Sequence, residues 1–101
     1  MSARLTVDGA SRLRAAAAAG RTADIDALLA QGVAVDAPDA DGETALMKAI
    51  EAGRRAAAAL LRRHGASLDL KNRAGASARD MAARLNDAEL DQALGLAPAA
   101  R

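Results

Sequence analysis

The chain contains no cysteine, phenylalanine, tyrosine or tryptophan, a single histidine and only two prolines. Without cysteine there can be no disulfide, no thiol nucleophile and no thiolate zinc ligand, which fits a reducing compartment. One histidine without cysteine cannot assemble a recognisable zinc site, so no metal or other cofactor is expected. Without aromatics the chain lacks the residues that dominate protein hot spots and those that stack on single-stranded bases. Neither charge sign is in excess: the net charge is +1, so bulk attraction to nucleic acid or to an acidic membrane is not indicated. No apolar run approaches membrane-spanning length.

What the chain does have is alanine, at 31 of 101 positions, with leucine supplying most of the remaining apolar mass. A core built from these two brings helices close but buries little area per residue. At about 25 cal/mol per Å² of apolar burial, such a core is only modestly stabilising.

It also has a period. Gly9, Gly42 and Gly75 recur at 33-residue intervals, as do Gly20 and Gly53, Gly32 and Gly65, Leu13 and Leu46, Leu28 and Leu61, and Asp36 and Asp69. Several unlike positions in one register point to a stacked array in which each unit buries its apolar face against a neighbour. The run Ala15–Ala19 falls in register with Ala49 and Ala82. It is therefore read as part of the fold rather than as a leader.

The second unit is the clearest. Pro38-Asp39-Ala40-Asp41-Gly42 is a turn signal. Thr44 caps a helix with the apolar stripe Leu46, Met47, Ala49 and Ile50, and Gly53 ends it. A second helix is expected from Arg55 to Arg63, closed by Gly65 and followed by a short extended piece. In the first unit the same plan opens a helix at Ser11, stops it at Gly20 and caps the next at Thr22, with Asp24 and Asp26 in its first turn. In the third, Ser77-Ala78-Arg79-Asp80 reads as a capping box, Asn86 replaces the stop glycine, and a last helix covers Asp87 to Leu94. Gly9, Gly42 and Gly75 are read as turn formers, and Gly95 and Pro98 as the end of the ordered chain.

Asp39-x-x-Gly42-x-Thr44-Ala45-Leu46-x-x-Ala49, then Gly53, Leu60-Leu61 and Gly65-Ala66-x-Leu68-Asp69, resembles an ankyrin repeat. Leu28-Leu29-x-x-Gly32-Val33-x-Val35-Asp36 matches the second half of that pattern, and Gly75-x-Ser77-Ala78-x-Asp80-x-Ala82 looks like a closing repeat. The resemblance implies an all-α solenoid of three stacked helix-loop-helix units with β-hairpin-like turns. It also implies a concave face made of turns and inner helices. Residues 1–7 form an N-terminal segment, the repeat domain covers 8–94 (repeats at about 6–38, 39–71 and 72–94), and 95–101 are a tail. The family's histidine position holds Arg14, Met47 and Asp80, so its threonine–histidine hydrogen bond cannot form here. Arg62 stands where an inward leucine is common, and Arg79 where Leu13 and Leu46 stand earlier; a terminal repeat needs a polar outer face.

No enzyme constellation can be assembled. His64 lies at a helix C-terminus, where imidazole suits the dipole. The serines lack a nucleophile-elbow context. The pairs Asp39/Asp41 and Asp24/Asp26 are turn formers or helix N-terminal charges. Charge is distributed in bands: an acidic turn at Asp39, Asp41 and Glu43, a basic turn at Lys71 and Arg73, and seven Lys/Arg against one acid between Arg54 and Arg79. Arg54 and Arg55 open a helix against its dipole, a local rule broken in one unit only, which marks a candidate site; Glu51 is the nearby acid available to neutralise them.

The expected function is therefore non-catalytic protein binding through Asp39, Asp41, Glu43, Lys71 and Arg73 on the turns, with Lys48, Glu51 and Arg84 on the inner helices. One alternative is nucleic-acid binding through the Arg54–Arg79 block. Another is a subunit or regulator stabilised by a larger partner; the chain acts as a monomer or within a hetero-complex. The absence of a membrane segment points to the cytoplasm, and the Ala/Arg-rich composition to a GC-rich bacterial genome.

Overall fold

The computed structural model describes residues 2–96, with side chains from Gly9 onward. Six helices follow one another: α1 (Ser2–Ala19), α2 (Thr22–Ala30), α3 (Ala45–Glu51), α4 (Arg55–Arg63), α5 (Ala78–Leu85) and α6 (Ala88–Leu94). The described residues contain no strand; one isolated antiparallel bridge joins Lys71 to Ser77. α1 packs on α3 and α3 on α5, forming an inner row, while α2 packs on α4 and α4 on α6, forming an outer row. The result is the expected all-α repeat solenoid.

The register explains the packing. Ala16, Ala49 and Ala82 are equivalent and all buried along the inner row, and Leu28, Leu61 and Leu94 are equivalent and buried along the outer one. A methyl at each inner crossing lets the helices approach closely, and each outer leucine fills the volume between successive pairs. Leu13, Leu46, Met47 and Ile50 complete the centre at 0–1% exposure.

Local capping follows the sequence. The Thr44 hydroxyl accepts from the Met47 N–H at 3.3 Å. Ser77 and Asp80 form a reciprocal capping box, Ser77 accepting from Asp80 and Asp80 from Ser77. Asn86 ends α5 in the left-handed conformation with φ 50°, the role expected of it.

Two readings of the first unit are corrected. α1 starts at Ser2 rather than Ser11, so Gly9 lies inside a helix and not in a turn. In the second and third units the turn is closed by Asp39 or Asn72, three positions before the glycine, whose side chain accepts two backbone N–H groups. The equivalent residue is Thr6, which is not an Asx residue, and the helix continues through it. Gly9 is small for a different reason: a Cβ there would meet Val33 Cγ2 at 3.0 Å. Thr22 is not a cap either. The Arg21 carbonyl accepts from the Ile25 N–H at 3.1 Å, so Arg21 is the N-cap and Thr22 the first helical residue. The tail from residue 97 onward, including Pro98, lies outside the described residues.

Candidate functional site

The turns are built by Asx geometry. Asp39 Oδ1 accepts from the N–H groups of Asp41 (2.8 Å) and Glu43 (2.9 Å), and Asn72 Oδ1 accepts from Ala74 (2.9 Å) and Ala76 (3.0 Å). Gly42 sits at φ 76°, and a Cβ on it would lie 3.1 Å from Asn72 Cα. The two turns are therefore stacked backbone on backbone, and the Arg73 N–H donates to the Asp41 carbonyl at 2.9 Å.

Three of the eight candidate residues face each other beneath the acidic turn. Lys48 Nζ lies 3.0 Å from Glu43 and 3.4 Å from Asp39, and Glu43 also accepts from Asn72 Nδ2 at 3.1 Å. The Glu43 N–H, then that of Asp41 and the Lys48 ammonium, hold the Asp39 carboxyl below the usual carboxylate range. Glu43, and then Asp39, push Lys48 above the ordinary lysine value. Glu51 behaves oppositely: partial desolvation first, then the Glu43 carboxylate, raise its carboxyl above the usual glutamate range. The cluster has more negative charge than Lys48 can compensate.

Asp41, Arg73, Glu51 and Arg84 are exposed. Glu51 and Arg84 line opposite walls of one groove between α3 and α5, with Ile50, Asn72, Met81 and Leu85. The backbone of Lys71 is bridged to Ser77, and its side chain is exposed with no ion pair among the described residues. The sequence reading missed Asn72, Met81 and Leu85. The signal was available in the period, since Met81 and Leu85 stand where Lys48 and Ala52 stand one unit earlier.

The basic centre is largely tied up internally, which corrects the reading of Arg54 and Arg55 as a sign of a site. Arg54 Nε donates to the Ala18 carbonyl at the end of α1 (3.0 Å). Arg55 pairs with Asp87 at 2.8 Å and with Glu89 at 3.5 Å, so its compensating acids are at the start of α6 and not at Glu51. Arg62 donates to the Leu94 carbonyl (2.8 Å) and the Ala66 carbonyl (2.7 Å). Arg79 grips Asp69 through two bonds. These contacts hold successive units together, and nothing in them favours a nucleic-acid surface. His64 faces Asp26 of the preceding unit at 3.3 Å, a structural contact. Among the described residues no group of acids and histidine could hold a metal ion, and no helix is long and apolar enough to cross a membrane.

Rows of short helix pairs joined by stacked Asx turns define the helical-repeat class of binding scaffold. The model for ankyrin repeats (3 copies) matches residues 3–94, so the chain belongs to the ankyrin-repeat family, whose members are generally protein–protein interaction modules. Among solved structures it is similar to the human ASB11 ankyrin repeat domain, with 30% identity and a TM-score of 0.72 over 81% of this chain. The chain spans 37% of the length of that domain. No curated protein matches it significantly.

Proposed function

We propose that this chain is a non-catalytic module that binds a partner protein in the cytoplasm of a bacterium, as a monomer or as a subunit of a hetero-complex. The partner rests on the turn tips Asp41, Lys71 and Arg73 and on Glu51 and Arg84 of the inner row. Asp39, Glu43 and Lys48 hold the acidic turn in shape and set its field. The observation that carries this reading is the pairing of an acidic tip with a basic one in a fixed stack, joined by the Arg73–Asp41 backbone bond at 2.9 Å. Opposite charges held at fixed spacing on a rigid edge steer and orient a partner more than they add affinity. Aromatic anchors are absent, so the contact is polar and its association rate falls with salt.

The test is affinity purification from the native host, followed by binding measurements with the recovered partner at low and high salt. Asp41→Lys and Arg73→Glu should each slow association and flatten its salt dependence. Unchanged binding by both variants would remove the turns from the site.

A further inference from the structure

The groove between α3 and α5 has a volume of about 330 Å³ and is lined by Ile50, Glu51, Asn72, Met81, Arg84 and Leu85. One period earlier, Asp39 stands for Asn72, Lys48 for Met81, Glu51 for Arg84 and Ala52 for Leu85. There the lysine reaches Asp39 and Glu43 and its ion pairs knit the turn to the helix. Met81 offers no such pairing, Ala74 and Ala76 replace the acids Asp41 and Glu43, and Leu85 is left 52% exposed. Leu85 is one of two large hydrophobic residues exposed among the described residues. An exposed leucine beside a half-buried methionine, where the second unit carries alanine and an ion-paired lysine, is a place where local consistency yields to function.

The walls differ in charge. On the α3 side, Asp39, Glu43 and Glu51 share Lys48 as their cation, leaving an excess of negative charge. On the α5 side stands Arg84, exposed and with no ion pair among the described residues. A cationic group in the groove is attracted to the α3 wall and repelled from the α5 wall, which fixes its orientation.

We propose that this groove receives a peptide segment of the partner protein that carries a large aliphatic side chain with a lysine or arginine one or two positions away. The aliphatic group packs on Met81 and Leu85, and the cation lies against Glu51 and the acidic turn. This deepens the reading of the inner face as the partner-binding surface and rests on it. The volume is that of roughly ten waters, enough for one or two side chains. An acidic segment would meet the uncompensated carboxylates and be rejected.

The test is selection of a random peptide library displayed on phage against the full chain, followed by titration of synthetic copies of the selected peptides. Selected sequences should place leucine, isoleucine or methionine beside lysine or arginine. Leu85→Ser should weaken them roughly tenfold, the scale of a lost anchor, and Glu51→Gln roughly threefold, the scale of an exposed charge pair. Arg84→Gln should leave them bound as well or better. Both test residues are exposed, and circular dichroism melts of the variants establish that they fold. Peptides that need Asp41 and Arg73 but ignore Leu85→Ser and Glu51→Gln would overturn the groove assignment while leaving the binding face intact. An acidic consensus would overturn the charge assignment. Selected peptides indifferent to every variant, or no selected peptide at all, would remove both readings.

Discussion

Arg62 gives the sharpest test of how the repeats are held together. Its guanidinium donates to the Leu94 carbonyl at 2.8 Å and to the Ala66 carbonyl at 2.7 Å. Leu94 closes α6, whose last carbonyls have no helical partner, and Ala66, fully buried, begins the segment after α4. One side chain thus ties the end of the third unit to the second. Arg62→Met keeps most of the aliphatic stem and removes both bonds. Charge-assisted hydrogen bonds contribute about 1.5–3 kcal/mol each when well shielded. The site is only half-buried and water can reach the freed carbonyls, so about 2–3 kcal/mol for the pair is the expected loss. In a domain of this size that corresponds to a fall of roughly 10–20 °C in Tm. Arg62→Lys keeps the charge but reaches one carbonyl at a time, and should lose about half as much.

Urea unfolding followed by circular dichroism reads the midpoint, and hydrogen exchange reads α6 separately. The variant should lower the midpoint with an unchanged slope, and protection in residues 88–94 should fall more than in α3. The reasoning fails if Arg62→Met stays within about 0.5 kcal/mol of the parent, or if lysine is as damaging as methionine. Arg62→Leu is the further check: although leucine is common at this position in the family, it should destabilise this chain, because the carbonyls stay unpaired.

Acid should weaken the fold. Asp39, Asp69, Asp80 and Asp87 are all held below the ordinary aspartate value, chiefly by hydrogen bonds from the Glu43 N–H, Arg79, the Ser77 N–H and Arg55 respectively. Groups depressed in the folded state add stability above their unfolded values and lose it as pH falls through the folded ones, so the urea midpoint should drop below about pH 4. Glu51 has the opposite sign: its carboxyl is raised above 4.5, so its contribution is intact at low pH and is lost as pH rises through the folded value. Glu51→Gln should therefore be more stable than the parent near neutral pH, with the difference closing towards about pH 4. Gly42→Ala combines a left-handed φ of 76° with a Cβ 3.1 Å from Asn72 Cα; it should cost about 1–3 kcal/mol by denaturant titration. Leu61→Ala, at a fully buried position on α4, should cost about 2–5 kcal/mol and largely unfold so small a core at 37 °C.

What was legible in the sequence was local. Thr44, the Ser77–Asp80 box and Asn86 act within three or four residues of themselves, so their chemistry is visible in a short window. The period was equally visible, because equivalent positions face equivalent neighbours. The first unit misled for a physical reason: glycine alone does not make the turn. An Asx oxygen three residues earlier closes it at Asp39 and Asn72, and the equivalent position in the first unit is a threonine, Thr6. The roles of Arg54, Arg55 and Arg62 were not legible because Ala18, Asp87 and Leu94, to which they donate, lie 32 to 36 residues away in the chain. The groove was half legible. Glu51 and Arg84 were named for their charge, while Met81 and Leu85 were hidden among core leucines until the register set Met81 against Lys48.

The arginine contacts bear on the missing aromatics. The alanines of the inner row contribute little apolar area to the stacking. Arg14 donates to Ala37 O, Arg54 to Ala18 O, and Arg62 to Leu94 O and Ala66 O. Arg54 and Arg62 reach across a junction between units to Ala18 O and Leu94 O, and Arg14 makes such a bond within the first unit; a long aliphatic stem with a charge-assisted bond at its end joins apolar cover and polar satisfaction in one residue. The consequence for function is that arginine count overstates the basic surface. Of the seven Lys/Arg in the central block, Arg54, Arg55, Arg62 and Arg79 are held by partners within the chain. The others are Arg63, exposed on α4, and Lys71 and Arg73 on the turn; on the turn tips and groove walls the acids Asp41 and Glu51 stand opposite Arg73 and Arg84. On the proposed reading, a partner is selected by where its charges sit, not by their sum.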